Sequence, residues 1–263
     1  MSPVVIVTRP AAAGERLHHR LIALGWDAVW CPAFDIGPAP DAQHARTVLR
    51  QLQRFDLVVF VSPNAVRASL ALIDAPWPSN VAIGAVGDAT AATACAELSL
   101  RPESPVIAPA GEAAGSEAFW AAWTESGRVA KRVLILRAQH GREWLGEQFS
   151  AAGAVVEVLP VYTRADHSLD RSARAVLQRS MAEQRRALAV FTSSEAVDAL
   201  DRQLSALDGA ARWLRTGTAL ATHERIRDRL LDAGYTRVEM TAADDEAVVA
   251  RLESFRRSRF EPL

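Results

Sequence analysis

The chain has 263 residues, of which 49% are hydrophobic and 23% are charged, and its formal net charge is −1. This is the composition of an ordinary globular protein with enough apolar residues for two cores. The near-zero charge argues against nucleic-acid binding. We see no basic leader, no apolar stretch of signal-peptide length and no run that approaches a membrane span, so we expect a cytoplasmic protein without a membrane partner.

Short apolar runs rich in valine and isoleucine alternate with segments of helical periodicity. The runs are typical of strands buried on both faces of a parallel sheet. They occur at residues 4–7, 28–30, 57–61, 81–86, 133–136, 155–161, 188–191, 218–221 and 237–240. Between them lie apolar residues at helical spacing, such as Leu17 with Leu21 and Leu200 with Leu204. The alternation predicts βαβ units and hence doubly wound α/β domains.

The sequence repeats itself at a spacing close to the size of one small domain. VVFVSPNAV at residues 58–66 returns as VFTSSEAV at residues 190–197, so that Ser62 pairs with Ser193. At a slightly different offset, identical residues align in three further pairs: Arg9 with Arg137, Gly25 with Gly153 and Pro32 with Pro160. The repeat predicts two similar α/β domains.

The turns that follow the predicted strands carry polar residues and glycines. In an open parallel sheet a ligand binds beyond the carboxyl ends of the strands, where loops lead into helix N-termini. Hydroxyls, free backbone N–H groups and guanidinium groups at this position suit carboxylate or phosphate groups. For each serine alone, a helix N-cap explains the residue equally well. The candidate ligand-binding residues are Arg9, Ser62, Asn64, Gly87, Thr90, Arg137, Thr192, Ser193 and Thr222.

The sequence lacks the usual motifs of several kinds of binding and catalytic site. The glycine-rich turn around Gly87 has neither the spacing and lysine of a P-loop nor the GxGxxG of a dinucleotide site. We find no Ser/His/Asp arrangement, no paired carboxylates and no metal-ligand spacing. Cys31 and Cys95 lie in different segments without a CxxC pattern, which predicts two buried thiols in a reducing compartment. The pattern indicates binding, or a reaction that needs little more than positioning.

One aromatic position differs between the two halves. The segment WCPAFDI at residues 30–36 corresponds to VLPVYTR at residues 158–164, which places Tyr162 at the position of Phe34. An aromatic ring packed between the two domains with its hydroxyl at the surface would explain Tyr162. A functional hydroxyl is the other interpretation that the residues leave open.

The ordered set of motifs resembles the uroporphyrinogen-III synthase family over nearly the whole chain. The motifs are VVIVTRP, FVSPNAV, AVGDATA, VLILR, AAGAVVEVLPVYTR and FTSSEAV. The resemblance weakens at residues 219–224, where the family commonly has a glycine before a Thr-Ala pair and this chain has Thr222-His223-Glu224.

The resemblance implies an enzyme that uses neither cofactor nor metal. Such an enzyme cyclises the linear tetrapyrrole hydroxymethylbilane to uroporphyrinogen III, with loss of water and inversion of the last ring. A carboxylate-rich substrate would explain the polar turns. Tyr162 matches the family's tyrosine, which implies a proton donor for the leaving hydroxyl. We expect a monomer, and the alternative is a non-catalytic two-domain α/β binding or regulatory protein for a polycarboxylate ligand.

The resemblance also implies a topology that spacing alone does not fix. The chain would cross from the first domain to the second near residues 33–40 and return near residues 161–168. These crossings would form a two-stranded antiparallel linker between two flavodoxin-like domains. One domain would then hold residues 1–36 and 167–263, and the other would hold residues 37–166.

Overall fold

A computed structural model of the chain describes residues 2–98, 106–111 and 115–257. Its strands are β1 (Val4–Val7), β2 (Asp27–Trp30), β3 (Phe34–Gly37), β4 (Leu57–Phe60), β5 (Ala82–Ala85), β6 (Val106–Ile107), β7 (Arg132–Ala138), β8 (Val155–Asp166), β9 (Ala187–Phe191), β10 (Thr218–Ala221) and β11 (Val238–Met240). Its α-helices are α1 (Ala11–Ala23), α2 (Ala42–Leu49), α3 (Pro63–Leu70), α4 (Asp88–Glu97), α5 (Ser116–Glu125), α6 (Trp144–Ala151), α7 (Arg171–Ala182), α8 (Ser194–Leu204), α9 (Ala210–Arg215), α10 (Glu224–Asp232) and α11 (Asp245–Arg257).

The chain divides into two compact units. Unit 1 is formed by the described parts of Met1–Ile36 and Ala165–Leu263, and unit 2 is formed by those of Gly37–Arg164. No helix in the described residues is both long enough and apolar enough to span a membrane.

Unit 1 is built on a five-stranded sheet in the order β11-β10-β9-β1-β2, and each neighbouring pair runs parallel. Residues of β1 alternate between its two faces. Val4 and Ile6 join the core that contains Leu177 of α7 and Leu200 of α8, whereas Val5 and Val7 join the core of α1 and α11. Since helices cover both faces, every residue of the strand is apolar and buried.

Unit 2 repeats this architecture with a different strand order. Its sheet runs β3-β8-β7-β4-β5-β6, and the pairs from β8 to β6 are parallel. Leu57 and Val59 of β4 face a core of aromatic rings from α5 and α6. In that core Trp120 meets Phe149 edge-on, with 5.0 Å between the ring centroids. Both units confirm the predicted doubly wound α/β class.

The strand orders show that the two sequence repeats are exchanged between the units. Counted along the chain within unit 1, the order is 2-1-3-4-5, as in flavodoxin-like folds. In unit 2 the same order appears if β7 and β8 are counted before β4, β5 and β6. Apart from β3, each sheet therefore takes two strands from one copy of the repeat and three strands from the other copy.

The chain passes between the units in β3 and β8, which are neighbours in the sheet. A Cβ atom at Gly37 would lie 2.4 Å from Thr163 Oγ1, and Asp35 Oδ1 lies 2.8 Å from His167 Nδ1. Residue 35 of the first segment is thus near residue 167 of the second, and residue 37 is near residue 163. This is the order of an antiparallel pair.

Strand β8 contains an irregularity that matters for the site. Its register against β7 shifts, because Arg137 pairs with Pro160 whereas Ala138 pairs with Tyr162. Val161 is the extra residue, and the consecutive residues Val161 and Tyr162 are both buried. A bulge of this kind re-aims the side chains that follow it.

Helix α1 packs so closely on the end of β1 that only glycine fits at one position. A Cβ atom at Gly14 would lie 1.7 Å from the carbonyl oxygen of Arg9 and 2.7 Å from Trp30 Nε1. These two atoms are joined by a hydrogen bond of 2.9 Å that the indole N–H donates. At Gly146 of α6, in contrast, the nearest atom would lie 3.7 Å away.

We predict opposite effects of alanine at these two helical glycines. Gly14→Ala should lower the free energy of unfolding by about 1–3 kcal/mol because the helix must shift. Gly146→Ala should raise it by about 0.5–1 kcal/mol because alanine loses less backbone entropy on folding. Urea unfolding of both variants measures the difference. A Gly14→Ala protein as stable as the wild type would contradict the close approach of α1 to β1.

Candidate functional site

The candidate residues of each unit lie at the carboxyl edge of its sheet. In unit 1, Arg9, Ser193 and Thr222 follow the neighbouring strands β1, β9 and β10, and Thr192 lies beside Ser193. In unit 2 the corresponding strands are β7, β4 and β5, which carry or precede Arg137, Ser62, Asn64, Gly87 and Thr90. Within each unit the fold therefore gathers at one edge residues that are far apart in sequence.

Both repeated serines cap a helix. The backbone N–H of Ala65 donates to Ser62 Oγ at 3.1 Å, and the N–H of Ala196 donates to Ser193 Oγ at 3.2 Å. Each serine has an extended backbone, as an N-cap residue requires. The cap interpretation is confirmed, while contact of these serines with a ligand stays a prediction.

The other polar candidates differ in exposure. Thr90 is only 4% exposed, so its side chain is buried within unit 2. Thr222 is half-buried and precedes His223, which caps α10 by accepting a hydrogen bond from the N–H of Arg225 at 3.1 Å. The cap at this turn is therefore an imidazole, whereas α3 and α8 are capped by serine hydroxyls and the N-cap Gly87 of α4 makes no side-chain hydrogen bond.

The two repeated arginines are both engaged within their own units. The Arg9 guanidinium donates to Asp245 Oδ1 at 2.5 Å and to the carbonyl oxygen of Ala243 at 2.7 Å. The Arg137 guanidinium donates to Glu143 Oε1 at 2.5 Å and to the carbonyl oxygen of Arg142 at 3.0 Å. Their side chains are 11% and 12% exposed. Each arginine thus fixes a loop at the edge of its sheet.

Asp245 joins two arginines at the start of α11. Arg16 donates to its second carboxylate oxygen at 3.0 Å, so that both oxygens accept a charge-assisted hydrogen bond. Burial alone would raise the pKa of this carboxyl group, but the hydrogen bonds from Arg16 and Arg9 outweigh burial and hold the pKa below its usual value. Asp245 is therefore a carboxylate in the folded protein at neutral pH.

Tyr162 lies inside unit 2 with its hydroxyl hydrogen-bonded. The residue is 1% exposed, and its hydroxyl lies 3.1 Å from Ser62 Oγ. Arg164 Nη2 donates to the same hydroxyl oxygen at 3.4 Å, and the guanidinium carbon lies 5.9 Å from the ring centroid. A packed ring with a surface hydroxyl is thus not what the structure shows.

The predicted burial is correct for one of the two cysteines. Cys31 is buried, and burial raises its pKa to about 12. Cys95 is exposed on α4, so the expectation of two buried thiols was wrong. The helix turns its neighbours Thr93 and Ala94 inward and leaves Cys95 on the outer face. Among the described residues, no group of three or more His, Cys, Asp or Glu side chains is arranged to hold a metal ion.

A family model described as uroporphyrinogen-III synthase HemD matches residues 15–250. The chain belongs to the uroporphyrinogen-III synthase family. The members of this family are cyclising lyases of porphyrin and haem biosynthesis.

Individual members of the family are similar over almost the full length. Uroporphyrinogen-III synthase from Escherichia coli (strain K12) is 27% identical over 256 residues, which covers 95% of this chain and 99% of the relative. The Salmonella typhimurium synthase is 28% identical with the same coverage. Among solved structures, a mutant synthase from Thermus thermophilus has a TM-score of 0.61 at 17% identity and covers 98% of both chains. The Helicobacter pylori 26695 enzyme has a TM-score of 0.57 at 18% identity, covering 97% of this chain.

Tyr162 was predicted from the sequence, but two residues around the candidate site, Arg164 and Asp245, were not. Arg164 lies two positions after Tyr162 on a strand, and residues at this spacing share a face. The alternation of side chains along a strand could therefore have predicted their contact. Asp245 is 236 positions from Arg9, and no signal in a single sequence connects them.

The Asp245 hydrogen bonds predict a pH-dependent stability. Asp245→Asn should lower the free energy of unfolding at neutral pH by about 1.5–3 kcal/mol, a typical range for hydrogen bonds to charged groups. Because the folded-state pKa is lowered, this stabilisation is present above the ordinary aspartate pKa of about 3.9 and is lost as the pH falls further. The melting temperatures of variant and wild type should therefore converge below about pH 4.

Glu246→Gln is the matched control for this prediction. Glu246 lies next to Asp245 in the first turn of α11 and forms an exposed ion pair with Arg20 of α1. The substitution should change the melting temperature little, because exposed pairs contribute little to stability. A difference between Asp245→Asn and wild type that stays constant from pH 7 to pH 3 would contradict the ionic explanation.

Proposed function

We propose that this chain cyclises hydroxymethylbilane to uroporphyrinogen III, with loss of water and inversion of ring D. The observation that carries the proposal is the family match over residues 15–250. The hydroxyl on ring A leaves, and the resulting azafulvene is attacked by the substituted carbon of ring D. The spiro intermediate then breaks and recloses with ring D turned over.

The polar edges of the two sheets support recognition of a carboxylate-rich substrate. Helix N-termini attract anions, each contributing about 0.3–1 kcal/mol at an exposed site. Because Arg9 and Arg137 already bind carboxylates or carbonyl oxygens of their own units, we propose that they mainly hold the loops in place. Direct contact then falls to the hydroxyls, amides and backbone N–H groups of Ser62, Asn64, Gly87, Thr192, Ser193 and Thr222. Thr90 would support the turn from inside unit 2, because its side chain is buried.

Positioning would account for most of the catalysis. Hydroxymethylbilane closes spontaneously without inversion, so the enzyme must favour the less accessible geometry. Orientation of reacting groups can lower a barrier by up to roughly 7–11 kcal/mol. Tyr162 is proposed as the proton donor for the leaving hydroxyl, which is supported by its hydrogen bonds to Ser62 and Arg164.

We further propose a monomeric cytoplasmic enzyme without a nucleic-acid partner, whose two domains correspond to units 1 and 2. The formal net charge of −1 favours the absence of a nucleic-acid partner. Two free cysteines, one of them exposed, are what a reducing compartment preserves.

The function is tested with freshly prepared hydroxymethylbilane. After oxidation of the products, separation of the isomers should show uroporphyrin III well above the amount from spontaneous closure, which gives isomer I. A carboxylate-binding protein without catalysis would leave the isomer ratio at the spontaneous value, and that result would reject the proposal.

Tyr162→Phe tests the role of the hydroxyl. Phenylalanine occupies the corresponding position of the other repeat at Phe34, so the ring should pack and the fold should survive. We expect a rate loss of about 10²–10⁴-fold, the usual contribution of a positioned proton donor. The remaining product should still be enriched in isomer III, because inversion depends on how the substrate is held.

Tyr235→Phe is the control, since the chain has two tyrosines in all. Tyr235 is 2% exposed, and its hydroxyl has no hydrogen-bond partner among the described residues. Its removal should leave both activity and stability close to wild type. Wild-type turnover in Tyr162→Phe would exclude the hydroxyl from catalysis.

A further inference from the structure

The hydroxyl of Tyr162 is one member of a hydrogen-bonded chain within unit 2. Arg164 Nη2 lies 3.4 Å from the phenol oxygen, and the phenol oxygen lies 3.1 Å from Ser62 Oγ. Ser62 Oγ also accepts the backbone N–H of Ala65 at 3.1 Å. The order along this chain is therefore guanidinium, phenol, serine hydroxyl and helix N-terminus.

The donors and acceptors of these groups give the chain a direction. A guanidinium group can only donate, so the phenol oxygen accepts from Arg164. A phenol is a stronger acid than an aliphatic alcohol, which makes Tyr162 the donor and Ser62 the acceptor in their shared bond. Ser62 Oγ then accepts from both Tyr162 and the N–H of Ala65, and a hydroxyl has two acceptor positions and one proton. The proton of Ser62 is thus directed away from these partners.

Exposure places Ser62 ahead of Tyr162 on the route to the outside. Tyr162 is 1% exposed, whereas Ser62 is partly exposed at the carboxyl edge of the sheet. A substrate that approaches this edge reaches the serine hydroxyl before the phenol. The bulge at Val161 turns Tyr162 into this buried position behind the serine.

We propose that Ser62 is the group that protonates the departing hydroxyl, and that Tyr162 supplies the proton through Ser62. This inference rests on the proposed function and refines the role of Tyr162 in it, from the direct donor to the source of the proton that Ser62 delivers. The serine hydroxyl gives its proton to the ring A hydroxyl as the carbon–oxygen bond breaks, and water leaves. The phenol proton moves to Ser62 Oγ, and the phenolate is stabilised by the guanidinium of Arg164. When ring D closes, the proton released from its unsubstituted carbon returns through Ser62 to Tyr162.

The other repeat lacks the proton source. Ser193 and Phe34 occupy in unit 1 the repeat positions that Ser62 and Tyr162 occupy in unit 2. Ser193 makes the same cap hydrogen bond, but a phenyl ring has no proton to pass on. The relay therefore assigns acid catalysis to the carboxyl edge of unit 2, and Arg164 is a positioning residue for it.

Substitutions that separate the cap from the hydroxyl test the relay. Ser62→Asn keeps an N-cap but has no hydroxyl to pass a proton, since asparagine caps helices as well as serine. We expect kcat for isomer III to fall by about 10²-fold or more while KM stays within a few-fold of wild type. Ser62→Thr keeps both functions and should recover most of kcat. Asp41→Ala removes the N-cap of α2 in the same unit, and it should lose stability without losing kcat.

The double variant Ser62→Asn/Tyr162→Phe gives the sharpest result. If both residues serve one relay, the double variant should be no slower than the slower single variant. Losses that multiply would mean independent roles and would overturn the relay, as would wild-type kcat in folded Ser62→Asn. Failure of the proposed function would look different, because the wild-type protein itself would then form no isomer III above spontaneous closure.

Discussion

The arrangement of polar groups follows from one constraint, which is that the central parallel strands are buried on both faces. Strand β1 and its neighbour β9 have no exposed side chain, because helices cover the sheet on each side. No polar site can therefore be built on the faces of the sheet. Polar groups that meet a ligand must lie where strands end and helices begin, and parallel strands place all of these ends at one edge. The candidate residues of both units obey this rule.

At that edge, the atoms that stabilise the fold are also the atoms of the candidate site. Ser62 Oγ satisfies a backbone N–H of α3 and also binds Tyr162, so one hydroxyl serves the helix and the site. Arg9 and Arg137 show the complementary case, because their charges are used to fix loops by binding carboxylates of the same unit. A loop that is held by hydrogen bonds before the substrate arrives loses less entropy on binding. Such preorganisation suits a reaction in which orientation decides the product.

Local patterns in the sequence predicted the central strands well, and long-range contacts poorly. Predicted strands 4–7 and 218–221 coincide with β1 and β10 because these strands are short, fully buried and, apart from Thr218, apolar. The apolar pattern did not mark β3, which is only partly buried and was expected from the family resemblance alone, and it missed β6, which has two residues. The N-caps Ser62 and Ser193 could be predicted, because each serine follows a strand and precedes a helical segment. The Arg9 hydrogen bond to Asp245 and the outward position of Cys95 depend on packing that a single sequence does not record.

The exchange of repeat copies between the units has a consequence for synthesis on the ribosome. Unit 2 is continuous from Gly37 to Arg164, so all of its strands are available once residue 164 has emerged. Unit 1 pairs β1 with β9, and the apolar residues Val4–Val7 cannot be covered on that side until Ala187–Phe191 has been made. The earliest strand of the chain must therefore wait while a complete neighbouring unit is translated. During that interval its apolar residues and unpaired edge are open to misassociation.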